Sequence, residues 1–415
     1  MSHMVSFLDV HKRMLAAVIG DAAKDREEHL LRRKFGAREG DLQVLVDWYK
    51  ELGVKEVVME STAQYWKPVW QTLEEQGFHL ELAQAQSNRG PKGRKSDFRD
   101  AERGWRRYNA DELTLSYVPN PEQRLWRTLS RTRIRLTRDK ARMQNRLEGL
   151  LEEMRIKLSG VVSDLLGVSA TSMLRAIAKG ETDVEKLAEM ADPNLRATKA
   201  ELCDALQAVK KLDPRYRVIL QQFLERLDLN EEHSEALKKE LAESLKPYGD
   251  QVERVAEIPG LGVDSAQQII AEVGPGAEKF ATAGDLSSWV GVCPGENESA
   301  EESSSDRSAK GNASMRRILD QAANAAVKAK GTVFEKRFRR ILGRDPKKYG
   351  RAIWAVAHHI CRVIWKILHD GVRYEERGDR RDPRADKRRA ARLLRQLKKL
   401  GYPEIRTPAV QEASA

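Results

Sequence analysis

Four carboxylates in the first 100 residues are placed where they could hold divalent cations. Asp9 lies at the end of the short apolar run VSFLDV (5–10), and Glu60 ends a second run, KEVVME (55–60). Asp97 and Asp100 sit three apart in GRKSDFRDAE (93–102), directly behind Lys92, Arg94 and Lys95. Residues three apart on a helix share a face, so these two side chains can point at one site. Four converging carboxylates repel one another and raise one another's pKa values; divalent cations remove that penalty. Oxygen-only ligands suit Mg²⁺ or Mn²⁺, and two such ions about 3.5–4 Å apart can clamp the attacking and leaving oxygens of a phosphodiester. The cationic flank at 92–95 would draw a polyanionic substrate towards an acidic centre. The same stretch also reads as a plain helix start, with Ser96 as the cap and acids in the first turn.

The elements that must position these acids follow from periodicity. VSFLDV and RMLAAVIGD (13–21) read as a hairpin joined at HK, and EHLLRRKF as a third strand. GDLQVLVDWYKEL (40–52) has helical spacing, KEVVME is a buried strand, and YWKPVWQTLEEQG, FHLELAQA and SDFRDAERGWRRY read as helix, strand and helix. Three hairpin-like strands followed by strand–helix alternation predict an α/β layered domain with a mixed sheet over 5–115.

Composition narrows the partners. The chain has 415 residues, 33% of them charged, a formal charge of +11 and a pI near 9.4. That balance points to a polyanion, with nucleic acid ahead of membrane. No apolar run is long enough to cross a bilayer and no signal-peptide pattern opens the chain. Cys203, Cys293 and Cys361 lack paired spacing, which suggests neither a disulfide framework nor a zinc site. A reduced, cytoplasmic protein is expected.

From 121 to 250 the pattern is helical throughout. Leu129, Leu136, Met143 and Leu150 recur every seven residues, with Leu125, Leu147 and Met154 on the same stripe. This is either a coiled-coil or bundle seam or an ordinary amphipathic core helix. Its polar face carries nine Arg or Lys (Arg124, Arg127, Arg131, Arg133, Arg135, Arg138, Lys140, Arg142, Arg146) against two acids, a bias that favours a phosphate backbone. Helices are also expected near 195–212, 215–229 and 231–247, as scaffold and for dimerisation. IPGLGVDSAQQIIAEVG (258–274) is a Pro-Gly-x-Gly turn leading into a helix, either a helix-hairpin-helix element that lets backbone N–H groups approach phosphates or a simple loop. A helix, ASMRRILDQAANAA, follows a Ser-rich loop. His358 and His359 read as packing residues. Residues 377–399 hold eleven Arg or Lys against three acids, a basic tail able to contact nucleic acid.

FLDVHK, VVMESTAQYW and GRKSDFRDAE resemble, in order and rough spacing, the DEDD transposases of the Piv/MooV-like insertion-sequence family. The resemblance implies an N-terminal RuvC-like (RNase H) fold with Asp9, Glu60, Asp97 and Asp100 as the metal-binding tetrad. Phe7 and Ala63 stand where the family often has glycine. The region 252–370 resembles the family's C-terminal transposase domain. There Pro294, Asn297 and Ser299 match a Pro-x-x-Asn-x-Ser segment that supplies a nucleophilic serine, and AKGN (309–312, with Lys310) and the helix bearing Arg316 and Arg317 also match. Glu301 and Glu302 depart from residues that are glycine or basic in relatives.

The resemblance implies a recombinase directed by a structured guide (bridge) RNA that pairs with target and donor DNA. It further implies a homo-oligomer, dimer or tetramer, in which tetrad and serine meet in a composite site. The expected nucleic-acid contacts are Lys92, Arg94, Lys95, Arg124, Arg127, Arg131, Arg135, Arg138, Arg142, Lys310, Arg316 and Arg317. Two competing readings remain: a RuvC-like junction nuclease with a metal-activated water, and a catalytically silent nucleic-acid-binding protein.

Overall fold

Strands and helices follow the apolar runs closely over the first 120 residues. The computed structural model describes residues 3–23, 29–61, 63–85, 88, 96–293, 298–299, 302–303, 310–376, 390–391 and 393–395. Residues 1–120 form one compact unit and 121–415 another. In the first, β1 (Met4–Val10), β2 (Met14–Asp21) and β3 (Leu31–Gly36) form an antiparallel meander. Then come α1 (Glu39–Glu51), β4 (Glu56–Ser61), α2 (Trp66–Glu75), β5 (His79–Ala83), α3 (Asp97–Asn109) and the short β6 (Leu115–Ser116). The sheet order is β3-β2-β1-β4-β5-β6, with β1, β4 and β5 parallel.

Strand alternation sorts the core into two layers. Leu8, Val10, Ile19, Val57 and Met59 pack with Leu42, Leu45 and Tyr49 of α1 and Val69 and Leu73 of α2. Val5, Phe7 and Val58 pack on the other face with Ala101 and Trp105 of α3. Gly104 permits that approach, because a Cβ there would stand 2.2 Å from the Phe7 ring. Trp105 Nε1 donates to the Val5 carbonyl at 3.0 Å and pins α3 across β1.

Among the described residues, the second unit is helical apart from one small hairpin. Its order is α4 (Pro121–Glu153), α5 (Val168–Ala178), α6 (Val184–Glu189), α7 (Lys199–Ala205), α8 (Pro214–Ser244), α9 (Gly249–Ala256), α10 (Val263–Val273), α11 (Ala283–Val290), the strands β7 (Glu298–Ser299) and β8 (Glu302–Ser303), α12 (Ala313–Ala326), α13 (Val333–Leu342) and α14 (Tyr349–Asp370). The helices α4 and α8 run antiparallel: Trp126 meets Tyr248, Lys140 pairs with Glu231, and Leu147 and Leu150 share a core with Leu220 and Leu224. Of the heptad positions, Met143, Leu147 and Leu150 are buried, Leu129 and Leu136 half-buried, and Leu125 exposed. A single 31-residue α8 replaces the two helices expected over 215–229 and 231–247, since neither Asn230 nor its neighbours bring a Pro or Gly to end the helix. The Pro-Gly-x-Gly turn does join two helices, α9 and α10. Its Gly260, at φ +90°, lies against the backbone of α12, where a Cβ would come within 2.3 Å of the Ala322 carbonyl oxygen. His359 packs edge-on against Phe334, and burial pushes its pKa down to about 4. No helix among the described residues is long and apolar enough to cross a membrane.

Candidate metal-dependent active site

The four sequence-predicted acids converge in the first unit. Asp9 and Glu60 are direct partners across the parallel β1–β4 pair, so their side chains leave the same face of the sheet. Alternation from Phe7 and Val58 makes that the α3 face. There Asp97 and Asp100 occupy the first turn of α3; Ser96 is the N-cap residue but makes no side-chain capping bond. The helix N-terminus adds its partial positive charge to the site.

Electrostatics show how closely the acids crowd. Burial, followed by the charges of Asp100 and Asp97, pushes the Asp9 carboxyl above its ordinary pKa although His11 opposes the shift. Burial likewise raises Glu60, with Asp9 and Asp100 adding to it against Asn88 and Arg103. Asp97 moves the other way, because Lys34 Nζ donates to its Oδ2 at 2.8 Å. Asp100 accepts from Arg103 Nη2 at 2.6 Å, and Arg103 Nε donates to the Asn88 carbonyl at 3.3 Å. Asn88 in turn donates its side-chain amide to Glu60. Lys34, Asn88 and Arg103 were not singled out from the sequence; only the strand register and α3 bring them here.

This donor set fits divalent cations. Two acids carry raised pKa values that a cation would relieve. Asn88, only 2% exposed, leaves its Oδ1 without a hydrogen-bond partner among the described residues, a buried acceptor beside Glu60. His11 joins Asp9 and Asp97 in a group whose ligand atoms lie within 4.8 Å of one another.

The other predicted residues are distributed as follows. Lys92, Arg94 and Lys95 lie outside the described residues, as do Pro294, Asn297 and nearly all of the basic tail. Ser299 stands in β7, whose backbone pairs with Glu302 in β8. Arg127 and Arg131 are turned to Glu272 of α10: Arg131 makes a bidentate pair at 2.7 and 2.8 Å, and Arg127 Nε lies 3.6 Å from Oε2. Arg316 donates to the Gly291 carbonyl and stacks over Trp354 at 4.4 Å. Arg142 pairs with Asp139 on its own helix, and Arg124 is half-buried. Arg135, Arg138 and Lys310 are exposed. Burial and the neighbouring charges of Arg138 and Arg133 push Arg317 below its ordinary pKa, so Arg138 and Arg317 share one cationic patch.

Comparison with known proteins agrees with this geometry. Residues 8–156 match the IS110 DEDD transposase family, and residues 252–339 match the family described as Transposase IS116/IS110/IS902. A Pseudomonas aeruginosa protein named "Probable family 20 transposase" is 24% identical over 352 residues, which cover 83% of this chain and 91% of that protein. The mixed sheet with its tetrad is consistent with an RNase H-like DEDD domain, and the protein is an enzyme acting on DNA. The two matched regions together make up more than half of the chain, and both are of the IS110 type: the protein is an IS110-family transposase.

Proposed function

We propose that this protein cuts and rejoins donor and target DNA strands at the Asp9–Glu60–Asp97–Asp100 site with divalent cations, Mg²⁺ or Mn²⁺. The observation that carries this reading is the convergence of all four acids, two from paired strands and two from one helical turn, with Asp9 and Glu60 raised in pKa. Bound cations would neutralise the carboxylates and stabilise charge on a phosphodiester. The chain's own part is to fix the ligands: β1 and β4 hold Asp9 and Glu60 in register, Lys34 orients Asp97, and Arg103 and Asn88 hold Asp100 and Glu60.

We infer that Ser299 is the nucleophile of the complete reaction. The support is the Pro294-x-x-Asn297-x-Ser299 pattern and its place inside the second matched family region. A new Oγ–P bond would form as one P–O bond of the DNA breaks; the serine proton is released and the freed strand end takes up a proton as a hydroxyl. One phosphate ester replaces another, so rejoining to a new strand needs no ATP. A guide RNA on the exposed arginines of α4, assembly as a dimer or tetramer, and action on the nucleoid complete the reading. The runner-up, a nuclease using water, is favoured by one observation: the tetrad is complete within the first unit.

A denaturing gel of end-labelled DNA separates the readings. Asp9→Asn, Glu60→Gln, Asp97→Asn and Asp100→Asn should each lower strand cleavage by about 10²-fold or more, the scale lost when an electrostatic stabiliser is removed. Ser299→Ala should abolish a protein–DNA adduct and strand joining, whereas Ser303→Ala should not. Cleavage with free ends by Ser299→Ala at wild-type rate would leave water as the nucleophile. Unimpaired cleavage by all four acid variants would remove the site altogether.

A further inference from the structure

We propose that His11 is a direct metal ligand of this site, making its donor set nitrogen-containing and tuning it towards Mn²⁺ rather than Mg²⁺. The proposal rests on the metal-dependent reading above and deepens it. His11 follows β1 by one residue and lies two beyond Asp9, the spacing that returns a strand residue to the same face. Its backbone N–H donates to the Met14 carbonyl at 2.9 Å, closing the turn into β2 and holding the residue beside the acids.

The ring reaches two acids from two different elements. Nε2 lies 3.1 Å from Asp9 Oδ2 and 3.7 Å from Asp97 Oδ1. Ligand atoms around an octahedral ion at about 2.1 Å sit roughly 3 Å apart along each edge, so these separations are already close to a coordination edge. The imidazole is 43% exposed, and among the described residues its polar contacts are the two acids. It is unlike His359, which packs against Phe334.

The bland role, counter-charge to the acids, is filled by permanent cations at Asp97 and Asp100, and only at Asp9 does it fall to His11. Lys34 serves Asp97 at 2.8 Å and Arg103 serves Asp100 at 2.6 Å, both with permanent cations. A histidine is a weaker counter-charge than either but supplies what they cannot, a neutral nitrogen lone pair. Carboxylates suit Mg²⁺ and Mn²⁺ alike, whereas an imidazole favours first-row transition ions over Mg²⁺, and Mn²⁺ is the member of that row best suited to a largely carboxylate site.

Pulsed electron paramagnetic resonance on the full chain loaded with Mn²⁺, without nucleic acid, reads the ligand directly. Wild type should show ¹⁴N coupling from a coordinated imidazole, and His11→Gln should lose it while still binding Mn²⁺. Calorimetric titration should show the Mn²⁺ affinity of His11→Gln falling about tenfold or more, with Mg²⁺ affinity changing less. Absent ¹⁴N coupling in wild type, or its persistence in His11→Gln, would overturn the proposal and leave the tetrad's metal binding standing. If Asp9→Asn and Asp97→Asn bound Mn²⁺ as tightly as wild type, the underlying metal reading itself would fail. His11→Asn, equally polar and smaller, guards against a local effect of the glutamine.

Discussion

At the scale of single residues, the site is arranged for chemistry at a cost in stability. Burial raises the Asp9 and Glu60 carboxyls, so folding favours their protonated forms. Their favourable contribution is therefore present at low pH and lost as pH rises through the raised values, leaving both groups charged and mutually repelling near neutrality. Without metal, Asp9→Asn should raise the unfolding temperature of the first unit by a few degrees, the shift that about 1 kcal/mol brings. That advantage should shrink as pH falls through the raised values, where the wild-type carboxyls protonate. With saturating Mn²⁺ the order should reverse, because only wild type gains the full stabilisation of a ligand bound to the native state. Calorimetric melts in chelator and in Mn²⁺ check this; a variant destabilised in both would mean that the acids are structural. The tetrad was legible in the sequence because strand-end acids and an i, i+3 pair are local patterns. The companions were not. Asn88 and Arg103 reach Glu60 and Asp100 only through tertiary packing, and His11, although inside the quoted FLDVHK, acquires its role from the turn that follows it.

At the scale of elements, α4 shows what charge counting misses. Its excess of arginine reads as a phosphate-binding face, yet Arg127 meets its acid partner 145 residues along the chain, at Glu272. Glu272 is fully buried and also accepts from Asn312 Nδ2 at 2.8 Å, while Asn312 Oδ1 caps α12 through the N–H groups of Ser314 and Met315. Burial would raise the Glu272 carboxyl, but Arg131, Arg127 and Asn312 together hold it below its ordinary pKa. One carboxylate thus ties α4, α10 and the start of α12. Glu272→Ala would remove the buried carboxylate that Arg127 and Arg131 face and should cost the second unit about 3–5 kcal/mol in urea unfolding. Arg135→Ala, at an exposed position of the same helix, should stay within about 0.5 kcal/mol. Equal effects would show that the network adds nothing beyond surface pairing. Most strands and helices of the first unit were readable from period-2 and period-3.6 patterns. The short β6 was not, since two residues carry no periodicity, and the two helices expected over 215–229 and 231–247 are one continuous α8.

At the scale of the whole molecule, 74 Lys and Arg against 63 Asp and Glu give an excess of cations even though the candidate metal site is acidic. The structure turns part of that excess inward, as with Arg127, Arg131 and Arg316, so net charge overstates what reaches a phosphate backbone. Arg135 and Arg138 remain exposed on α4. Arg138 also adjoins Arg317 of α12, whose pKa is depressed by burial and by like charge. A phosphate placed between them would relieve that repulsion, so their contribution to binding should exceed that of scattered surface lysines. The binding constant for duplex DNA, plotted logarithmically against salt, should fall with a slope of about −0.9 per phosphate contact. Arg135→Ala combined with Arg138→Ala should make the slope shallower by about two and weaken binding most at low salt. Arg127→Met combined with Arg131→Met should leave the slope unchanged, since those guanidinium groups already face Glu272. Filter binding between 50 and 200 mM salt, roughly the range over which such slopes are resolved, decides the matter. A shallower slope from the second pair and none from the first would place the nucleic acid on the opposite side of α4, against the arginines that the folded unit holds on Glu272.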